Sequence, residues 1–196
     1  MGRKSIREQT IESGVRTLHE RGYANAGVRE ITAAAGVPQG SFINHFGSKE
    51  AFAVMVLERY AERTHQVMDA TLLDPESTPV ERLRGYFDAI TRMLEDSGWR
   101  FGCLVGNMSL EAPEHSEPIR ESLVAIMESF TERFAEAVRA GQASGDFRDD
   151  VEATELAAFL LSAWQGSMLR MKVDRTGAAI ERFFKIVFAS IVARNA

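Results

Sequence analysis

Residues 28–46 read VREITAAAGVPQGSFINHF, and the fold is decided by this stretch. Val28–Ala35 places Ile31 and Ala35 four apart, on one face of a short helix. Gly36 stops that helix, because a positive φ is cheap only without a Cβ. After the Gly36-Val37-Pro38 turn, a second short helix is expected over Gln39–His45, with Gly47-Ser48 breaking it. Two short helices joined by a tight glycine turn form a helix-turn-helix, whose second helix can enter the major groove of DNA. Val37 is expected to plug the angle between them, with Ile31, Ala35, Phe42 and Phe46 packed beneath. The small side chains of Ala33–Ala35 let the two helices approach closely.

Outward from this motif the chain reads as all-α, with about nine helices and no period-two strand pattern. A first helix over Ser5–Arg21 carries Ile11, Val15 and Leu18 on one face and ends at Gly22. Gly14 inside it should cost about 1 kcal/mol against alanine. Ser48 can cap a long helix over Lys49–Leu72. The segment Leu73–Pro79, LDPESTP, is a break. A fifth helix follows, with Val80, Leu83, Phe87, Ile90 and Leu94 at helical spacing and Ser97-Gly98 at its end. Further helices are expected over Phe101–Leu110, Glu117–Ala143, Val151–Val173 and Ala178–Arg194. The eighth and ninth are apolar on more than one side, wider than a helix on a monomer's surface needs. They are therefore either well-buried core helices or the interface of a homodimer. The division expected is an N-terminal three-helix domain, residues 1–50, and a C-terminal helical domain, residues 51–196.

Charge and composition are compatible with a DNA-binding head. The 196 residues carry a net charge of −5. Residues 1–49 hold seven Lys and Arg against four Asp and Glu, whereas residues 50–196 hold 16 against 24. A basic head on an acidic body can meet phosphates with the head alone. No apolar run approaches the roughly 18 residues of a membrane helix, and the N-terminus shows no apolar leader segment. With a single cysteine, Cys103, no internal disulfide can form. The expectation is a cytoplasmic protein with no membrane partner. The four histidines, at 19, 45, 65 and 115, lack metal-ligand spacing. Neither a phosphate-binding glycine loop nor a nucleophile elbow is present. No metal, cofactor or catalytic residue is expected, which sets aside a small helical enzyme as the weaker alternative.

The run from Thr10 to Phe52 resembles the tetracycline-repressor family of bacterial regulators. The residues that carry the resemblance are Gly22-Tyr23, Val28-Arg29-Glu30-Ile31, Ala35-Gly36-Val37, Gly40-Ser41-Phe42, His45-Phe46 and Ser48-Lys49-Glu50, spaced without a gap. The resemblance implies a repressor that binds a pseudo-palindromic double-stranded operator as a homodimer, through the eighth and ninth helices, and is released by a small-molecule effector. Arg29 matches a position on the second helix that reaches DNA. Pro38, Gln39 and Gly40 stand at the start of the recognition helix, and Gln39 is the candidate base reader, since an amide can pair two positions on an adenine edge. Ser41, Asn44, His45 and Lys49 match phosphate-contacting positions. Two departures stand out: Ile43 occupies the place of a tyrosine that touches the DNA backbone, and Ala26-Gly27 replaces the hydroxyl pair that caps the second helix.

The body resembles the branch holding the acrylate- and N-ethylmaleimide-responsive repressors, through Phe101–Asn107 (FGCLVGN), Trp164-Gln165-Gly166 and Leu169–Lys172. The resemblance implies an effector site faced by Cys103. At a helix start, unpaired N–H groups favour negative charge on its sulfur, and a thiolate adds readily to electrophiles; the alternative is a small buried hydrophobe. Asn107 follows one turn later and points the same way. Trp164 walls the effector pocket or belongs to ordinary core. Arg170 pairs with a carboxylate effector, or is a surface charge or a salt bridge in a dimer. A body with no hollow would instead fit an effector-independent, architectural DNA-binding protein.

Overall fold

Ser5 accepts a hydrogen bond from the Glu8 amide at 3.2 Å and so starts the first helix, α1 (Ile6–Asn25). The computed structural model describes residues 5–192, and among these the chain forms eight further helices. They are α2 (Val28–Ala35), α3 (Ser41–Phe46), α4 (Lys49–Leu72), α5 (Pro79–Asp96), α6 (Leu104–Glu111), α7 (Glu117–Ser144), α8 (Ala153–Asp174) and α9 (Ala178–Ile191). The all-α reading holds. Extended pairing among the described residues is confined to an isolated antiparallel bridge between Phe147 and Val192.

The helix ends differ from the sequence reading where a cap decides them. Gly22 interrupts α1 at φ 78°, and the chain turns on to Asn25 beyond it. Pro79 is not part of the break but the first residue of α5. Thr78 accepts from the Glu81 amide at 3.3 Å, and the Glu81 carboxylate accepts from the Thr78 amide at 2.9 Å. The Thr78 amide, and then its hydroxyl at 2.8 Å, donate to the Glu81 carboxylate and hold its pKa below the usual value. α6 begins at Leu104 because Gly102 is left-handed, at φ 68°, and Cys103 is extended. α8 begins at Ala153 because the Glu152 carboxylate takes the amides of Thr154 and Glu155 at 2.8 and 3.0 Å. α9 ends at Ile191, with Val192 extended; residues 193 and 194, expected in the same helix, lie outside the described residues.

The helices group into two compact units. One comprises the chain through Arg63 together with Cys103–Met127; the other comprises Thr64–Gly102 together with the chain from Glu128 onward. In the first unit α1 packs on α2 and α6. It also meets α4 at Gly14, where a Cβ would lie 2.8 Å from Val56 Cγ2 and closer still to the Phe52 ring. The propensity cost of a mid-helix glycine thus has a packing reason. The Arg59 guanidinium of α4 pairs with Glu8 and Glu12 of α1 and with Glu62, and these hydrogen bonds push its pKa up.

In the second unit the core is aromatic. Phe87 of α5 meets Trp164 of α8 and Phe183 of α9 at centroid distances of 4.9 Å each, and Phe134 of α7 at 5.5 Å. Between α4 and α7, His65 Nε2 lies 3.0 Å from the Ser129 hydroxyl, its ring edge-on to Phe130. Burial, and then the nearby Arg133 charge, pull the His65 pKa down, against an opposing pull from Asp69. The unfolded chain therefore binds this proton first as pH falls below about 6.5. Stability from the neutral ring is complete above that value and is lost as pH drops toward the folded pKa. The urea midpoint should fall between pH 7.5 and 5.5, and His65→Gln should flatten that fall; an unchanged slope would remove His65 as its source.

Candidate nucleic-acid interface

The turn between α2 and α3 is built from backbone hydrogen bonds. Gly36 adopts φ 65° and ψ 33°, its amide donates to the Ala33 and Thr32 carbonyls, and the Val37 amide donates to Thr32 O at 3.0 Å. A Cβ at Gly36 would meet nothing within 4 Å, so its backbone angle alone calls for glycine. Gln9 of α1 closes the end of α2 by donating to the Ala35 carbonyl at 2.7 Å. Gly27 caps α2 without a side-chain hydrogen bond, as the missing hydroxyl implied.

Beneath the turn Ile31, Ala35, Phe42 and Phe46 are buried, and Val37 is half-buried. Phe42, Phe46 and Phe52 form a ring triangle with centroids 4.8 to 5.1 Å apart, which ties α3 to α4. α3 is shorter than expected. Pro38 O accepts both the Ser41 amide, at 3.1 Å, and the Ser41 hydroxyl, at 2.7 Å, so Pro38, Gln39 and Gly40 form the turn ahead of the helix. Gly47 ends α3, its amide donating to Ile43 O at 2.9 Å. Ser48 Oγ then accepts from the Ala51 amide at 3.0 Å and starts α4.

This construction turns one surface outward. Pro38, Gln39, Gly40, Asn44 and His45 are exposed, Ser41 is half-buried, and Arg29 is exposed on α2. Lys49 is placed differently from a free surface cation. Its ammonium donates to the Tyr23 carbonyl at 2.6 Å and sits 4.4 Å from the Tyr23 ring centroid. Burial lowers its pKa, while Glu111 and Glu30 pull it back up. Spacing gave no hint of the residue that completes this corner. Glu111, at the end of α6, accepts from the Ala24 amide at 3.1 Å, and its carboxylate lies over Gly22.

The four residues named for an effector fall in different settings. Cys103 is buried at the N-cap of α6 and makes no cap hydrogen bond; Asn107 is half-buried one turn on, its amide bonded to Cys103 O at 2.9 Å. Trp164 is 1% exposed, inside the aromatic core of the second unit. Arg170 is not beside it. It is exposed on α8, paired with Asp174 at 2.6 Å, and lines an open groove of about 510 Å³ between α8 and α9. Phe159, Gly166, Arg182 and Ile186 share that groove. Among the described residues, no group of three or more His, Cys, Asp or Glu could hold a metal ion, and no helix is long and apolar enough to cross a membrane.

Comparison with known proteins places this geometry. The family described as bacterial regulatory proteins, tetR family, matches residues 11–55. The tetracyclin repressor-like C-terminal domain matches residues 79–187. The chain is 39% identical over 192 residues to the HTH-type transcriptional repressor DhaR of Mycobacterium sp. (strain GP1), covering 98% of this chain and 95% of that one. It is 32% identical to the transcriptional regulator AcuR of Cereibacter sphaeroides, covering 96% and 86%. The crystal structure of reduced Escherichia coli NemR superposes with a TM-score of 0.90 at 27% identity, covering 97% of this chain and 99% of that one.

Proposed function

Because the chain belongs to the tetR family of bacterial regulatory proteins, we propose that it is a ligand-responsive repressor whose output is occupancy of an operator rather than a chemical reaction. The observation that carries this reading is the exposed edge of the helix-turn-helix, Gln39 to His45, presented on a fully packed aromatic base. In this arrangement the turn and the first residues of α3 meet base edges, with Gln39 as the reader. Arg29, Asn44 and His45 flank it as phosphate contacts, and Ser41 joins them by turning its hydroxyl away from Pro38 O. The Lys49 bond to Tyr23 uses one of three ammonium hydrogens; the other two serve a phosphate.

Two copies would join through α8 and α9. Phe159, Leu169 and Val173 of α8 and Ile186 of α9 are large apolar side chains left exposed, and the groove between these helices is a surface that a twofold partner can fill. Arg170 belongs to that face rather than to an effector site. Cys103 and Asn107 are the proposed effector contacts. A small electrophile bound there would shift α4 and change the spacing of the two heads, so that both half-sites can no longer be met at once.

A band-shift titration against duplexes from upstream of its own gene tests the reading, and saturable, salt-sensitive binding is expected. Lys49→Ala should weaken binding to all duplexes alike and reduce the salt slope by about one, whereas Gln39→Ala should change which duplex is preferred. Absence of binding to any such duplex would sink the repressor reading, and a changed preference in Lys49→Ala would reverse the two roles. Release by an electrophile should disappear in Cys103→Ser; undiminished release excludes the thiol.

A further inference from the structure

Ile43 is the large apolar side chain that α3 leaves outside, 60% exposed while Phe42 and Phe46 are buried. The other exposed side chains of the turn and of α3, Gln39, Asn44 and His45, are all polar. A lone apolar group among hydrogen-bonding ones does not make a protein-docking patch. It lies about 100° around the helix from Phe42, on the side shared with Gly40 three residues earlier. A Cβ at Gly40 would meet nothing within 4 Å, so the space beside Ile43 toward the start of the helix is open. Helical side chains lean toward the N-terminus, which is the end of a recognition helix that contacts base edges. In the major groove the apolar group displayed on those edges is the thymine C5-methyl. The side chain is also β-branched and stiff, so little rotamer freedom is lost on contact.

We infer that Ile43 contacts a thymine methyl in each operator half-site and so determines part of the sequence preference. This rests on the DNA-binding function proposed above. It adds an apolar reader to Gln39, at a position where the family pattern has a backbone-touching tyrosine.

The test begins with duplexes selected by the intact protein from a randomised double-stranded pool. Each thymine of a selected duplex is then replaced by deoxyuridine, which removes only the methyl group. Wild type should lose about fourfold in affinity at one thymine position per half-site, the value of one buried methyl. Ile43→Ala should bind the thymine duplex about as weakly as wild type binds the uracil duplex, with no further loss on substitution. Ile43→Val should retain the sensitivity. Wild-type binding indifferent to every methyl overturns the inference and leaves DNA binding standing. So does an equal loss in Ile43→Ala, or a uniform loss from Ile43→Ala that no deoxyuridine position shares, which would assign the side chain to backbone sugars. Failure to select any duplex would overturn the inference and the function beneath it together.

Discussion

Ile186→Asp is expected to yield a folded monomer that holds its operator at least on the order of a hundredfold more weakly than wild type. Ile186 is 57% exposed on α9, so a charge there costs the isolated subunit little. In the α8–α9 dimer proposed above, the same position would face the partner's surface, bringing two carboxylates into an apolar seam beside Phe159. Losing the partner removes the second head, and with it the gain from binding both half-sites as one ligand, typically 10²- to 10⁴-fold. Sedimentation velocity reads the mass and a band-shift reads the affinity. Unchanged helicity by far-UV circular dichroism separates dissociation from unfolding. A dimer of wild-type affinity would show that the α8–α9 groove is not the subunit interface.

Gly14→Val should cost about 3 kcal/mol or more of stability. The mean helix propensity of valine is better than that of glycine, so an exposed site would respond in the opposite direction. Here the new Cβ alone falls against the Phe52 ring and Val56, and both residues are fully buried. Neither can withdraw, because Phe52 also supports Phe42 and Phe46 under the reading surface. Overpacking of a filled core typically costs about 1–3 kcal/mol and occasionally more, and valine adds two further carbons beyond the Cβ that already clashes. Gly85 of α5 is the control: a Cβ there meets nothing within 4 Å, so Gly85→Ala should gain about 1 kcal/mol. Urea midpoints of the two variants should therefore move in opposite directions. A stabilised Gly14 variant would show that α1 and α4 are not in close contact.

These contrasts show which features a linear sequence can convey. α2 and α4 have the expected limits because Gly36, Ser48 and the apolar spacing are local signals. The start of α5 was also locally encoded: Thr78 with Glu81 three residues on is a capping box, and Pro79 fits the first helical position. Pro79 therefore belongs to the helix and not to the break before it. The start of α3 was hidden by Pro38, whose carbonyl gathers the Ser41 amide and hydroxyl and holds Gln39 outside the helix. Arg170 and Trp164 are six residues apart on one helix, yet one lines a surface groove and the other the core; helical phase separates them where motif resemblance had grouped them. Glu111 and Ala24 are 87 positions apart, and no local pattern announces such a bond.

That bond bears on how the protein could be rebuilt. The Glu111 carboxylate holds the amide of Ala24, and Ser116 donates its hydroxyl to Glu50. A chimera cut at residue 50 would keep the reading helices but give Ala24 a foreign acceptor and Glu50 a foreign donor. Exchange of DNA preference between related repressors should therefore succeed more often when residues 103–127 travel with the head. The portable cassette is discontinuous in the chain: its edges follow these hydrogen bonds rather than the last residue that touches DNA.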